Sequence, residues 1–162
     1  MARILLVGCG CRGRALAASL RELGHLVRGT TRSPARLAVI EAAGAEAVVA
    51  DPDRLGTLLP ALEGVSAVCW LMGSAQGAST PAALHGPRLG SLLAKLVDTP
   101  VRGLVYEAAG SAPAALLAEG GALVREAGVT HRMPVAVVDR RPTDLADWIA
   151  AMAAAVGHVL GE

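Results

Sequence analysis

Four apolar residues, Ile4-Leu5-Leu6-Val7, run directly into Gly8-Cys9-Gly10-Cys11-Arg12-Gly13, and this junction limits the possible folds more than any other stretch. The apolar run has the length of a buried parallel strand, and Ala15 to Leu23, ended by Gly24, reads as the helix that follows. Between them, the Gly-x-Gly-x-x-Gly spacing gives each glycine a mechanical task. Gly8 permits the tight turn off the strand, Gly10 lets the backbone approach a pyrophosphate with no Cβ in the way, and Gly13 lets the helix pack close to the strand. The free N–H groups and positive dipole end of the helix then face the phosphates. The competing reading is a glycine-rich turn with no ligand; the placement between a strand and a helix argues against it.

The 162 residues suit one dinucleotide-binding domain with no separate substrate domain. A net charge of +1 leaves no electrostatic footprint for nucleic acid, which is excluded as a partner. A hydrophobic content of 53% and a mean hydropathy of +0.49 raise the question of a membrane. The longest apolar run, Trp148 to Gly157, falls short of the roughly 20 residues a spanning helix needs, and no signal-peptide pattern is present. A soluble, cytoplasmic protein is expected.

The three cysteines make neither a disulfide framework nor a zinc site, and no metal is expected. Cys9 and Cys11 sit in the glycine turn, where a helix N-terminus is expected to lower a thiol pKa. Redox sensing is weighed there against plain packing, with no Cys-x-x-Cys pattern in its favour. Cys69 reads as core.

Further along, Leu26 to Thr30 reads as a second strand followed by Thr31-Arg32-Ser33-Pro34. In a dinucleotide fold this strand end meets the adenosine ribose. A carboxylate there binds the 2′-hydroxyl of NAD, whereas an arginine accommodates the 2′-phosphate of NADP. Thr31, Arg32 and Ser33 with no carboxylate favour NADP over NAD. The alternative is that Arg32 is a solvated charge and Ser33 a helix cap.

Helices are expected over Pro34–Ala43, Arg54–Leu62, Leu84–Val97 and Ala114–Ala127. They alternate with strands at Glu46–Ala50, Ala67–Met72, Val101–Tyr106 and Val135–Val138. This alternation predicts a doubly wound, six-stranded parallel sheet of Rossmann type in a single α/β domain. Gly73 and Ser74, in the small-residue loop after the fourth strand, are expected beside the nicotinamide, and Trp70 to Met72 in the core. His85 and His131 read as surface residues.

A last helix from the region of Arg141 to about Leu160 carries an apolar stripe of Leu145, Trp148, Ile149, Met152, Val156 and Val159. Its other face, Ala146, Ala150, Ala151, Ala153 and Ala154, is small and uncharged, which suits either a solvated helix or a helix–helix contact. A homodimer through residues 84–97 or 143–160 is the expectation resting on these faces.

The segments 4–14, 24–33, 50–51 and 65–71 together resemble the short-chain dehydrogenase/reductase superfamily, in its extended or atypical branch, with relatives among NAD-dependent epimerases and dehydratases. The resemblance is good over residues 1–110 and loose beyond. It implies that Asp51 lies beside the adenine and that Arg32 holds a 2′-phosphate. The superfamily's Tyr-x-x-x-Lys does not transfer, because its two slots fall near Pro113 and Leu117. Arg141-Pro142 resembles the Arg-Pro that follows the sixth strand in extended members.

The cofactor-binding set expected is therefore Gly8, Gly10, Cys11, Arg12, Gly13, Thr31, Arg32, Ser33, Asp51, Gly73 and Ser74, with no catalytic residue assigned. Three functions stay open. One is an NADP-binding Rossmann protein without the usual chemistry, acting as a cofactor-responsive component. Another is an oxidoreductase or epimerase-like enzyme using Ser74, Ser111, Glu107 or Tyr106. The third is a methyltransferase, disfavoured because Thr30-Thr31-Arg32 lacks the acidic residue that ribose hydroxyls want.

Overall fold

The computed structural model describes residues 1–77, 80–141 and 143–162. Strands β1 (Arg3–Val7), β2 (Leu26–Thr31), β3 (Glu46–Val49), β4 (Ala67–Trp70), β5 (Gly103–Glu107) and β6 (Val135–Val138) form one sheet in the order β3-β2-β1-β4-β5-β6. Every neighbouring pair is parallel. The order reverses between β1 and β4, so the connections leave in opposite directions and open a crevice at the carboxyl ends of the strands. This is the doubly wound Rossmann architecture.

The two-residue period of a strand sends alternate side chains to opposite faces. Ile4 and Leu6 enter a core with Leu16, Leu20, Ile40, Trp148, Met152 and Val156. Those partners come from α1 (Cys11–Glu22), α2 (Leu37–Ala42) and α7 (Leu145–Leu160). Leu5 and Val7 enter a second core with Leu58, Leu84, Leu89, Leu92, Leu96 and Val124, from α3 (Leu55–Leu58), α4 (Pro81–Leu84), α5 (Pro87–Leu96) and α6 (Ala114–His131). Both faces are covered, which is why the central strands carry apolar side chains on both faces rather than alternating apolar with polar.

Several boundaries differ from the sequence expectation. The helix expected over 34–43 splits into a 3₁₀ turn, Pro34–Arg36, and α2. That expected over 54–62 splits into α3 and a 3₁₀ turn, Leu59–Leu62, because Pro60 supplies no N–H to continue the ladder. That expected over 84–97 breaks at Gly86, whose φ of −125° and ψ of −102° take it out of the helical region before Pro87. The fourth strand stops at Trp70, the fifth runs on to Glu107, and α6 continues to His131. Leu145, placed on the apolar stripe of the last helix, is 41% exposed, while Trp148, Met152, Val156 and Val159 are buried as expected. The Arg-Pro likeness at 141–142 involves Pro142, outside the described residues. No helix among the described residues is long and apolar enough to cross a membrane.

Arg28 is the unexpected core member. It lies mid-strand in β2 and is 8% exposed, where a charge has to be paired. Its Nε donates to Glu46 Oε2 at 2.9 Å, and its Nη1 donates to the carbonyls of Ala61 at 2.6 Å and Glu63 at 2.9 Å. The guanidinium thus ties β2 and β3 to the turn that feeds β4. Arg28→Lys is expected to cost about 1–3 kcal/mol in urea unfolding, because one ammonium replaces a fixed fork and leaves a carbonyl unpaired.

Candidate functional site

The β1–α1 junction is built as its glycines require. Gly8 has φ +92°, and a Cβ there would meet Met72 Cε and the Leu71 carbonyl. A Cβ on Gly13 would stand 3.0 Å from the Gly8 carbonyl, so helix and turn are in close contact. A Cβ on Gly10 would enter open space. The turn is pinned from β2: Gly8 N–H donates to Thr30 Oγ1 at 3.0 Å, and Cys9 N–H to the Thr30 carbonyl at 3.0 Å. No side chain caps α1, and its first turn holds no acidic residue. Its N-terminal N–H groups therefore remain available to an anion.

This junction floors a cleft of about 470 Å³. Gly8, Gly10, Cys11, Arg12, Gly13, Thr31, Arg32 and Ser74 line it, so the structure brings together eight of the residues singled out in the sequence. Ser33, Asp51 and Gly73 do not line it. Ser33 N–H donates to Thr31 Oγ1 at 3.2 Å, holding the bend after β2. Asp51 Oδ1 accepts from Asp53 N–H at 2.9 Å and so shapes the turn after β3. Gly73 lies where the loops after β4 and β5 interlock: a Cβ there would meet the Ala109 carbonyl, and the Gly73 carbonyl accepts from Ala112 N–H at 2.9 Å.

Arg36, Leu71, Met72, Leu84, Glu107 and Trp148 also line the cleft. Leu71 and Met72 are buried core members, as expected, and they line the cleft as well, just past the end of the fourth strand. Trp148, read as a sheet-covering residue, does that and also lines the cleft. Arg32 and Arg36 stand at the β2 side. The Arg32 guanidinium donates to the Gln76 carbonyl, linking the β2 end to the loop after β4. Three strand spacings of about 4.8 Å separate β2 from β5, so the cleft spans on the order of 14 Å.

At the β5 side stands Glu107, 0% exposed and, among the described residues that line the cleft, the one carboxylate. Its Oε1 accepts from Gly73 N–H at 3.0 Å and lies 3.5 Å from Arg12 Nη2. Burial pushes its pKa up; Arg12, the Gly73 N–H and the Trp148 indole oppose the rise. Oε2 of Glu107 and Nε1 of Trp148 are both buried without a hydrogen-bond partner, so the indole acts on the carboxylate without closing a bond to it. The Arg12 guanidinium stacks over the Trp148 ring at 5.4 Å, a cation–π contact that holds both.

The thiols divide differently from expectation. Burial raises the Cys9 pKa to about 11 against a smaller lowering by Arg14, so Cys9 is a thiol, contrary to the lowered pKa expected of it. Cys69 is in the core, as expected, and burial raises it to about 12.

Among the polar candidates for chemistry, Glu107 and Ser74 line the cleft, whereas Ser111 and Tyr106 do not. Ser74 Oγ accepts from Ser111 N–H at 3.0 Å. Tyr106 points to the opposite face of the sheet, among the α5 and α6 residues. There it meets His85, which is 1% exposed and corrects the surface reading; His131 is exposed. His85 Nε2 lies 3.0 Å from the Met72 carbonyl and Nδ1 lies 2.6 Å from Tyr106 Oη. The carbonyl can only accept, so Nε2 carries the proton and Nδ1 accepts from the tyrosine hydroxyl. A Cβ on Gly120 would strike that hydroxyl, so the tyrosine fits because α6 has a glycine there.

No family model matches the sequence, and no curated protein matches it significantly. The fold has clear counterparts. Vestitone reductase from alfalfa superposes with a TM-score of 0.65 at 17% identity, over 85% of this chain and 56% of its own. A UDP-N-acetylglucosamine 4-epimerase from Bacillus cereus gives 0.64 at 16%, over 85% and 53%. WbmG from Bordetella bronchiseptica, solved in complex with NAD, gives 0.61 at 18%, over 84% and 52%. The likeness is one of fold: the chain has the Rossmann fold that these reductase and epimerase structures have, and it spans just over half the length of these structures.

Burial lowers the His85 pKa from its ordinary 6.5, against a smaller rise from the Met72 bond. The unfolded chain therefore binds a proton that the folded chain refuses, and stability is lost as pH falls through 6.5 toward the folded value. Urea midpoints at pH 7.5 and 5.5 are expected to fall less for His85→Gln than for the wild type.

Proposed function

We propose that the protein binds a nicotinamide dinucleotide in this cleft, NADP(H) in preference to NAD(H), without the Tyr and Lys chemistry of the enzymes it resembles. The observation that carries this reading is the charge layout of the cleft around an uncapped helix N-terminus. Arg32 and Arg36 stand where β2 ends, and the lining carboxylate, Glu107, stands three strands away at the end of β5. A 2′-phosphate dianion is attracted by that end, and no lining carboxylate there competes for it. Gly10 supports the reading too, since the space a Cβ would fill is the space a pyrophosphate needs.

The lack of Tyr and Lys chemistry is supported by placement. The single tyrosine, Tyr106, is enclosed with His85 on the far face, and the single lysine, Lys95, is exposed on α5. Pro113 and Leu117 occupy the cap and a buried position of α6. A cofactor-responsive binding protein follows from this arrangement. Calorimetric titration with NADP⁺, NADPH, NAD⁺ and NADH tests it. NADP(H) is expected to bind at least tenfold less tightly to Arg32→Ala or Arg36→Ala, a charge-assisted contact being worth about 1.5–3 kcal/mol, with little change for NAD(H). No binding of any of the four overturns the reading.

A second reading is favoured by Ser74 and Glu107, both of which line the cleft. It is an oxidoreductase in which the bound dinucleotide supplies the hydride and these side chains orient a carbonyl substrate. NADPH oxidation that requires a carbonyl compound and falls at least about tenfold in Ser74→Ala, a loss in the range of a positioned hydrogen bond, is its expected signature.

A further inference from the structure

Arg32 is exposed and lines the cleft, yet its guanidinium is held by a backbone group from elsewhere in the fold. It extends from the end of β2 to the loop after β4, two strands away in the sheet, where Nη2 donates to the Gln76 carbonyl. The next residue, Gly77, has φ +133°, and a Cβ on it would strike the same guanidinium. The loop thus gives Arg32 a carbonyl to hold and, beside it, a residue with no side chain in the way. The loop is itself fixed at its root: Gly73 N–H donates to Glu107 Oε1 at 3.0 Å, and Ser74 Oγ accepts from Ser111 N–H at 3.0 Å.

What this contact leaves unspent matters as much as what it uses. A guanidinium carries five N–H donors in a rigid fork. Among the described residues the Arg32 side chain makes the one bond to Gln76 and pairs with no carboxylate. A carbonyl is a neutral acceptor, so the positive charge is not cancelled. An unanchored arginine gives up rotamer freedom when it closes on a phosphate, whereas one fixed beforehand has already lost it on folding. Resting on the dinucleotide reading above, we propose that Gly77 is a positioning residue for NADP(H): with the Gln76 carbonyl, it holds Arg32 where the remaining N–H groups meet the 2′-phosphate. Selectivity for the phosphorylated dinucleotide is then shared between the end of β2, which supplies the charge, and the loop after β4, which sets its place.

The test is calorimetric titration of the whole protein with NADP⁺ and NAD⁺, in wild type, Gly77→Ala, Arg32→Ala and the double variant, read as the ratio of the two affinities. In Gly77→Ala the preference for NADP⁺ is expected to fall at least about fivefold, with NAD⁺ affinity changed by less than about twofold. Gly77 is exposed, and the retained NAD⁺ affinity reports that the variant is folded. In the Arg32→Ala background the same substitution is expected to move the ratio by no more than about 1.5-fold, because the side chain it positions is gone. An unchanged ratio in Gly77→Ala overturns the assignment. So does a raised one, which a carbonyl competing with the phosphate for Arg32 would produce, and so does an equal loss for both dinucleotides, the mark of a general disturbance of the loop. An undiminished effect of Gly77→Ala without Arg32 overturns it as well. If Arg32→Ala lowers the ratio and Gly77→Ala does not, the NADP(H) reading stands and only the positioning role falls. If wild type binds the two equally, or binds neither, both fall together.

Discussion

The turn from β1 into α1 must reverse direction in a few residues while leaving the helix N-terminus bare, and the rest of the molecule is fitted to that demand. Gly8 at φ +92° makes the turn, and Leu71 and Met72, just past the end of β4, press against it so closely that a side chain has no room. Thr30 fixes it from β2 through a hydroxyl and a carbonyl. The uncapped N–H groups would be a liability in a buried helix end. Here they open on a cleft, and a bound anion is the group that would satisfy them.

A second demand is set by charge. Arg28, Arg12 and Glu107 all lie in or beside cores, yet they are handled in different ways. Arg28 is fully employed, with a carboxylate and two carbonyls around one guanidinium, and it acts as a structural tie. Arg12 and Glu107 are left partly employed, stacked on an indole and facing the cleft. Complete satisfaction fits Arg28 to a structural task, and the incomplete satisfaction of Arg12 and Glu107 is what leaves room for the ligand role proposed above.

Much of this was readable along the chain because it is encoded locally. The glycine spacing, the alternation of strands and helices, and the stripe Leu89, Leu92, Leu93 and Leu96 each depend on residues within a few positions of one another, and all are found as the pattern implies. Pro60 and the Gly86-Pro87 step were local too, and they divide helices that periodicity alone joins. What could not be read depends on separation. His85 is buried because Tyr106, on another element, offers its hydroxyl and Gly120 yields the space. Trp148 reaches the cleft because α7 returns to the face that α1 occupies. No short window contains both partners of either contact.

The central position of β1 has a consequence for how the protein comes to exist in its working form. β1 pairs with β2 close by in sequence, but its other edge waits for β4, where Ile4 meets Ala67 and Val7 meets Trp70. That closure is long-range and is slow compared with local helix formation. The inner wall needs still more, since Glu107 and Trp148 come from the second half of the chain. A folding intermediate holding only the first βαβ unit would carry the glycine turn with neither Met72 behind it nor Glu107 across from it. Completion of the cleft and docking of the two halves of the sheet are therefore one event.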